Sequence, residues 1–358
     1  MNFNAPLLKS IRILLFPLSL IYALIIWTRN RMFDKHIFPS ISFNLPIICI
    51  GNLSAGGTGK STMVEFLTRQ FKDKISVAIL SRGYKRKTTG YAVANDTTTA
   101  LDIGDEPMQF HVKFPDVTVC VGEERIVAIP QLLHDRPDTK LIILDDAFQH
   151  RSVKAGLNVL LTEYSNLFIN DWFLPTGDLR DEKVSYRRGD ILVVTKCPVD
   201  LSVAKAAEIN NEIRVLPHQH LFFSAIQYGI PYHITRKHEV AVTIQMEVLL
   251  ISGIANPVPL KDFLRENSKA YYEMLYGDHH IFGIDDWREI VKKFEDIPTQ
   301  NKIILTTEKD AVRLTKFAAE LDQLPLFVIP IEMKLLFNKE KEFASLITSF
   351  IQTYYSKN

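Results

Sequence analysis

A glycine-rich stretch at residues 51–62, "GNLSAGGTGKST", has the composition of a loop that binds phosphate. It follows the apolar run "LPIICI" and precedes the helix-compatible run "MVEFLTRQF", which is the context that such a loop requires. Backbone N–H groups of residues 55–59 would surround a β-phosphate at the helix N-terminus. Lys60 would neutralise the β- and γ-phosphate oxygens, and the Ser61 hydroxyl would ligate Mg²⁺. The predicted nucleotide-binding residues are Ser54, Ala55, Gly56, Gly57, Thr58, Gly59, Lys60 and Ser61, with Ser54 where the strict pattern has its first glycine.

Two consecutive aspartates follow another apolar run, in "LIILDDAFQHR". Side chains that end a parallel strand emerge at the carboxyl edge of the sheet, where a crevice for ligands forms. One of Asp145 and Asp146 can hold Mg²⁺ directly or through water, and the other can orient that water or a second ion. Alone, the pair would be typical of a turn, but with the upstream loop it predicts a nucleotide and metal site.

Two further charged clusters suit the transfer of a phosphoryl group to an acceptor. "IGDEPM" places Asp105 and Glu106 between a glycine and a proline, which predicts a rigid turn presenting two carboxylates. A kinase needs one carboxylate to receive the proton of the acceptor hydroxyl. "YGDHHIFG" offers His279 and His280, and an imidazole can pair with that carboxylate. Each cluster alone is more typical of a solvated surface turn.

The elements that must position these residues alternate between short β-branched runs and longer helix-compatible stretches. Continuous apolar strands indicate a parallel sheet with helices on both faces. We therefore expect an α/β protein with a P-loop NTPase-type α/β/α sandwich at residues 36–218 and an extended linker at 219–240. A second, smaller α/β domain at 241–358 would follow and close the cleft.

An uncharged run at residues 13–27, "ILLFPLSLIYALIIW", lies between basic flanks. Fifteen helical residues cover ~22 Å, short of the ~30 Å hydrocarbon core of a bilayer. No small-residue cleavage site of a signal peptide follows. The pattern favours a helix at residues 1–35 that attaches to an anionic membrane surface without crossing it, and a buried core helix is the alternative.

Composition excludes several classes of protein. The 42 basic and 41 acidic residues nearly balance, so the charge gives no reason to expect a nucleic-acid partner. The three cysteines show no paired spacing, which argues against a disulfide framework or zinc site and fits a reducing compartment. In "VVTKCP", Pro198 stands where a guanine-reading loop has aspartate, which favours ATP over GTP.

Eight motifs in order resemble the tetraacyldisaccharide 4'-kinases, the lipid A 4'-kinases of Gram-negative envelope biosynthesis. They extend from the N-terminal helix to about Leu314 and read "GNLSAGGTGKS", "LSRGY", "GDEP", "LDDAFQHR", "LPTGDLRD", "SGIANP", "DHH" and "TTEKDAVRL". This order is far more specific than a phosphate loop alone. Three positions depart from the family pattern, with Thr62 and Asp178 where it has proline and Ala147 where it has glycine.

The resemblance implies a monotopic enzyme of two α/β domains on the cytoplasmic face of the bacterial inner membrane. Such enzymes transfer the γ-phosphate of ATP, with Mg²⁺, to the 4'-hydroxyl of a tetraacylated glucosamine disaccharide 1-phosphate. It implies Asp105 as the base toward that hydroxyl, His279 as its partner and Lys60 as the third catalytic residue. The implied metal site is Ser61, Asp145, Asp146 and Glu106, and the implied substrate-binding arginines are Arg82, Arg125 and Arg180.

The implied partners are the lipid disaccharide and the inner-membrane lipid surface, without nucleic acid or an obligate protein partner. Arg82 belongs to the basic stretch "SRGYKRK", which suits an anionic lipid headgroup or the 1-phosphate of the substrate, or is a solvated loop. A membrane-associated P-loop ATPase or GTPase switch without a lipid acceptor is the alternative function. It would leave the clusters at Asp105 and His279 unexplained, and a scaffold that binds nucleotide only for stability would leave every carboxylate unexplained.

Overall fold

The computed structural model describes residues 12–278, 280–317 and 321–356, with Lys316 described without its side chain. The chain divides into two compact units, residues 1–226 with 333–358 and residues 227–332. The helices are α1 Phe16–Asp34, α2 Lys60–Phe71, α3 Ala100–Ile103, α4 Asp105–Lys113, α5 Arg125–Asp135, α6 Val203–Ile213, α7 Val258–Asn267, α8 Ile284–Glu295, α9 Glu308–Leu314 and α10 Glu340–Tyr355. Short 3-10 turns lie at Ile13–Leu15, Phe168–Asn170, Lys183–Arg188 and Thr315–Phe317.

The strands follow the β-branched apolar runs, with bounds within a few residues of those runs. They are β1 Ile47–Asn52, β2 Val77–Ser81, β3 Ala92–Val93, β4 Thr118–Val121, β5 Leu141–Leu144, β6 Leu157–Glu163, β7 Ile191–Thr195, β8 His220–Tyr228, β9 Tyr232–His233, β10 Glu247–Ser252, β11 Ala270–Leu275, β12 Lys302–Thr307, β13 Leu326–Ile329 and β14 Ile331–Leu335.

The first unit is built on a nine-stranded sheet of order β14-β8-β7-β6-β1-β5-β2-β4-β3. Its central strands pair in parallel, and β3 pairs with β4 in antiparallel fashion. Each face carries its own core of buried side chains, because alternate residues of β1, such as Cys49 and Ile50, enter different clusters. This two-sided burial confirms the predicted α/β/α class.

Strand order places the two main motifs side by side. β1 lies between β5 and β6, and it runs parallel to both strands. The glycine-rich loop follows β1, and the aspartate pair follows β5, so both emerge at the same edge of the sheet.

The second unit has a five-stranded sheet of order β11-β10-β12-β13-β9. Its first four strands are parallel, and β9 joins in antiparallel fashion. Buried clusters again cover both faces, one of them around Leu249 and Ile304 and the other around Val248 and Leu305.

The unit boundaries differ from those that we predicted from the sequence. The expected linker at 219–240 contains β8, which pairs with β7 in the first sheet. The expected second domain at 241–358 ends at Glu332, because the chain then returns to the first unit. Phe343, Ile347 and Ile351 of α10 recur every four residues and are buried in a core of that unit.

The N-terminal helix continues beyond the apolar run from which it was predicted. With the preceding 3-10 turn it extends over Ile13–Asp34, 22 residues, and by length and composition it could cross a membrane. Only 11% of its most apolar stretch is buried, so a core-helix interpretation does not fit. Residues 1–11 of the predicted membrane segment lie outside the described residues.

Candidate active site

The glycine-rich loop connects β1 to α2 and presents its middle to solvent. Gly56 and Gly59 have φ values of 115° and 85°, a region that favours glycine, and Gly59 directly precedes the helix. Asn52 Nδ2 donates to Thr58 Oγ1 at 2.8 Å, and Thr195 Oγ1 donates to the Thr58 carbonyl at 2.9 Å. These two bonds fix the loop from inside while residues 55–57 stay exposed.

Two of the predicted phosphate donors already bond within the protein. The Ala55 N–H donates to the Asp178 carbonyl at 2.6 Å, and the Thr58 N–H donates to the Gly56 carbonyl at 3.1 Å. Ser54, at the position of the missing glycine, is 8% exposed and forms an isolated bridge with Leu179. The backbone donors left to a phosphate therefore lie around Gly56, Gly57 and the first turn of α2.

Lys60 and Ser61 open α2, as predicted. The Lys60 ammonium lies 3.8 Å from Asp146 Oδ1 and donates to the Gly56 carbonyl at 3.4 Å. Its side chain is 13% exposed, so it lies in the loop rather than in bulk water. Lys60 therefore links the phosphate loop to the aspartate pair.

The two aspartates have opposite electrostatic environments. Asp145 is 3% exposed and accepts from Ser81 Oγ at 2.8 Å. Burial, followed by the charges of Glu106 and Asp146, raises the pKa of Asp145 to about 7. For Asp146, burial opposes ionisation, but the Lys60 and Arg180 cations outweigh it and lower its pKa to about 2. Neighbouring carboxyls with divergent pKa values are typical of a reactive site.

The residues around Asp145 suit a divalent cation. Among the described residues, Asp145 Oδ1 is buried without a hydrogen-bond partner. No group of three or more His, Cys, Asp or Glu side chains in the described part of the chain could hold a metal ion by itself. Mg²⁺ commonly uses one or two carboxylates together with phosphate oxygens and water, so Ser61, Asp145 and Asp146 fit a metal that arrives with a nucleotide.

The three predicted arginines occupy different positions. Arg180 donates from Nη1 to Asp146 Oδ2 at 3.1 Å, and from Nη2 to Asp146 Oδ1 and Asn52 Oδ1. Arg125 is 1% exposed and donates to the carbonyls of Gly122 and Asp145, so it holds the backbone at Asp145 from the protein interior. This burial does not fit the direct substrate contact that we expected for Arg125.

Arg82 follows β2 and is exposed. Burial, and then the charges of Arg125 and Arg82, lower the pKa of His150 to about 4, so this side of the site carries a positive potential. Arg86, in the same basic stretch, is paired with Glu123 at 2.5 Å. Arg82 is therefore better placed than Arg86 to receive an anionic group.

The predicted turn at Asp105 and Glu106 is the first turn of helix α4, which begins directly after Gly104. Proline is tolerated in a first turn, where its missing N–H is not needed, and this explains how Pro107 lies within the helix. Both carboxylates are partly exposed, and the Glu106 charge acts on Asp145.

The histidine motif is only partly described. His279 lies outside the described residues. His280 pairs with Asp286 through Nε2 and Oδ2 at 2.9 Å and stacks on Tyr276, with 4.6 Å between the ring centroids. The imidazole of His280 therefore makes these contacts within its own unit.

Two supporting residues were missed by sequence reasoning. The Asn52 side chain hydrogen-bonds to the side chains of Thr58 and Arg180, and the Thr195 hydroxyl donates to the Thr58 carbonyl. A polar residue that ends a buried apolar strand was the available signal for both. The stretch "VVTK" resembles a base-reading loop in sequence, but its Thr195 supports the phosphate loop instead.

Comparison with known proteins gives consistent relatives. Residues 11–352 match the family model described as tetraacyldisaccharide-1-P 4'-kinase. The tetraacyldisaccharide 4'-kinase of Bacteroides thetaiotaomicron is 40% identical over 352 residues, covering 94% of this chain and 93% of that one. Its counterpart in Flavobacterium johnsoniae is 43% identical over 323 residues, covering 89% of this chain and 93% of that one. The crystal structure of LpxK from Aquifex aeolicus in complex with ATP superposes with a TM-score of 0.73 at 28% identity, covering 95% of this chain and 99% of that one.

Proposed function

The chain belongs to the tetraacyldisaccharide-1-P 4'-kinase family, and we infer that it transfers the γ-phosphate of ATP to the 4'-hydroxyl of a tetraacylated glucosamine disaccharide 1-phosphate in lipid A biosynthesis. The observation that carries this function is the glycine-rich loop with Lys60 3.8 Å from Asp146. The alternative, a membrane ATPase or GTPase switch without a lipid acceptor, is not favoured, because the relatives are kinases.

The phosphate loop and the aspartate pair bind the nucleotide. Backbone donors around Gly56 and Gly57 receive the phosphates, and Lys60 neutralises their oxygens. Ser61, Asp145, Asp146 and Glu106 would hold Mg²⁺, which supplies positive charge to the phosphates when it is bound. Arg180 adds a second cation beside Asp146, and its planar guanidinium suits bidentate contact with phosphate.

The acceptor side depends on Asp105. Its carboxylate lies in the first turn of α4 in the same unit as the phosphate loop, and it receives the proton of the 4'-hydroxyl as transfer proceeds. His279 as the partner of Asp105 stays a prediction from the family motif. Arg82 attracts the 1-phosphate of the acceptor, and the buried Arg125 holds the Asp145 backbone in place.

The N-terminal helix attaches the enzyme to the cytoplasmic face of the inner membrane without crossing it. Ser19 and Asn30 of this helix are buried against the rest of the first unit, at 3% and 2% exposure. Leu14 and Leu24 are instead 76% and 62% exposed. A helix held to the protein along one side can lay its apolar side in the bilayer interface. The exposed Arg31 near its end suits an anionic leaflet, whereas Arg29 donates to the Gln149 carbonyl.

Transfer of labelled γ-phosphate from ATP to tetraacyldisaccharide 1-phosphate in mixed micelles tests the proposal. We expect labelled lipid with the wild type, and almost none with Asp105→Ala, although that variant still binds ATP. Asp116→Ala, at an exposed position just after the same helix, is the matched control and should transfer normally. Free phosphate released equally with and without the acceptor would instead indicate an ATPase. Loss of ATP binding by Asp105→Ala would make Asp105 a nucleotide ligand rather than the base.

A further inference from the structure

Residues 172–182 form a segment that hydrogen-bonds with the N-terminal helix. Ser19 Oγ donates to Thr176 Oγ1 at 2.7 Å and accepts the Thr176 N–H at 3.0 Å. Asn30 Nδ2 donates to Asp181 Oδ1 and to Glu182 Oε2, each at 2.8 Å. The helix therefore holds the segment near both of its ends.

Two further residues, Tyr22 and Arg12, contact the segment between these ends. The Tyr22 hydroxyl donates to the Arg180 carbonyl at 3.3 Å. Arg12, just before the helix, donates to the Pro175 carbonyl at 2.7 Å and pairs with Asp178 at 2.8 Å. Asp178 is the residue that replaces the family proline, and its negative charge is paired with the Arg12 guanidinium.

The other edge of the segment bonds to the phosphate loop. The Asp178 carbonyl accepts the Ala55 N–H at 2.6 Å, and the Arg180 N–H donates to the Leu53 carbonyl at 2.8 Å. The Arg180 side chain then contacts Asp146 and Asn52. The segment thus lies between the N-terminal helix and the groups that are expected to hold phosphate.

We propose that Ser19 and Asn30 are positioning residues for phosphoryl transfer, because they hold residues 172–182 and through them Arg180. The proposal rests on the kinase function stated above and goes beyond it, since it gives the N-terminal helix a role that does not depend on lipid. Membrane attachment needs only the exposed apolar side of the helix. It gives no reason to bury a serine and an asparagine on the opposite side, where each must find a hydrogen-bond partner.

Small errors in placement have large effects on transfer rates. A displacement of about 1 Å at a catalytic group can cost on the order of a hundredfold in rate. Removal of Ser19 Oγ or Asn30 Nδ2 frees one end of the segment, so Arg180 loses its fixed orientation toward Asp146. We expect kcat to fall by about tenfold or more, while KM for ATP changes little, since Lys60 and the loop remain.

The experiment compares two pairs of variants on the full-length protein. Ser19→Ala and Asn30→Ala remove polar contacts, whereas Ile21→Ser and Leu24→Ser change apolar positions that are 58% and 62% exposed. Lipid phosphorylation is measured in mixed micelles, and membrane binding is measured by flotation with vesicles of phosphatidylethanolamine and phosphatidylglycerol. The first pair should lose kcat and still float, and the second should float poorly and keep its micellar kcat.

Ser19→Thr, which keeps the hydroxyl, should restore kcat, and thermal unfolding of each variant checks the fold. Ser19→Ala is the milder change if Asn30→Ala fails to fold. Unchanged kcat in Ser19→Ala and Asn30→Ala, or equal loss in Ile21→Ser and Leu24→Ser, would overturn the proposal. Absence of lipid transfer by the wild type would instead overturn the proposed function, so the two failures are distinguishable.

Discussion

The Arg180 guanidinium donates to both carboxylate oxygens of Asp146, and the Lys60 ammonium lies 3.8 Å from the same carboxylate. Two cations from separate segments of the chain, Lys60 and Arg180, therefore lie beside the Asp146 carboxylate. Because these cations lie beside the phosphate loop, phosphate oxygens that enter the site meet positive charge already oriented by the protein.

Arg180→Ala should lower kcat by about a hundredfold, the typical cost of losing one preorganised group that stabilises charge. The pKa of Asp146 should rise from about 2, because one of the two cations that lower it is gone. Arg180→Lys keeps the charge but not the two-pronged geometry, so its kcat should be intermediate. Steady-state kinetics at saturating ATP measures this. Wild-type kcat in Arg180→Ala would exclude Arg180 from transfer.

Binding of ATP with Mg²⁺ should release a proton from Asp145 at low pH. With a pKa of about 7, this carboxyl is mostly protonated at pH 6 in the free protein and mostly ionised at pH 8.5. A bound divalent cation favours the ionised form, so affinity should fall as the pH decreases through 7.

Calorimetry in two buffers of different ionisation enthalpy counts this proton at each pH. Asp145→Asn is the control, because any proton release from the nucleotide itself persists in it. Equal proton release by wild type and Asp145→Asn at pH 6 would contradict a protonated Asp145.

Trp172 should contact lipid together with the N-terminal helix. It is 59% exposed, and its ring lies edge-on to Phe16 with 5.6 Å between the ring centroids. Amphipathic indole rings favour the membrane interface. The chain has three tryptophans, so protein that retains only Trp172 is made by changing Trp27 and Trp287 to Phe.

Fluorescence of this protein should be quenched by vesicles of brominated phospholipid. Protein that retains only Trp287, which is 5% exposed in the second unit, is the control and should not be quenched. Equal fluorescence of the Trp172 protein with brominated and ordinary lipid would place this residue away from the bilayer.

Ile347→Ala should destabilise the first unit. Ile347 is fully buried in the core that contains Ile48 and Phe222, and removal of such a side chain typically costs about 2–5 kcal/mol. Hydrogen exchange read by mass spectrometry should show faster exchange in β7 and β8, with β10 and β12 unaffected. Ser349→Ala, at an exposed position of the same helix, should leave both units unchanged. Faster exchange confined to β10 and β12 would contradict this assignment and place α10 in the second unit.

Local patterns predicted most of the fold. The apolar runs around Ile48, Ile143 and Val193 became strands of the first sheet, because burial on both faces leaves a continuous apolar signature. The placement of Lys60 and Ser61 at the start of α2, with Asp146 close by, was also predictable, because a phosphate loop has fixed residue types at fixed spacing.

Long-range pairing was not readable from one sequence. The amphipathic pattern of α10 indicated a buried side but not which sheet would cover it. Likewise, a proline after Asp105 and Glu106 is compatible with a turn or a first helical turn, and neighbouring structure decides between them. The salt bridge between Arg12 and Asp178 joins residues far apart in the chain, and no local rule predicts it.

The return of residues 333–358 to the first unit also bears on the order in which the protein is made. Ribosomes release the N-terminal residues first, and domains generally fold as units during synthesis. Here the phosphate loop emerges from the ribosome early, yet the core beside it lacks Phe343 and Ile347 until residues 333–358 have been synthesised. A nascent chain that stalls after the second unit but before Phe343 can complete the fold of that unit but not the fold of the first unit. Kinase activity thus requires that translation has continued past Ile351.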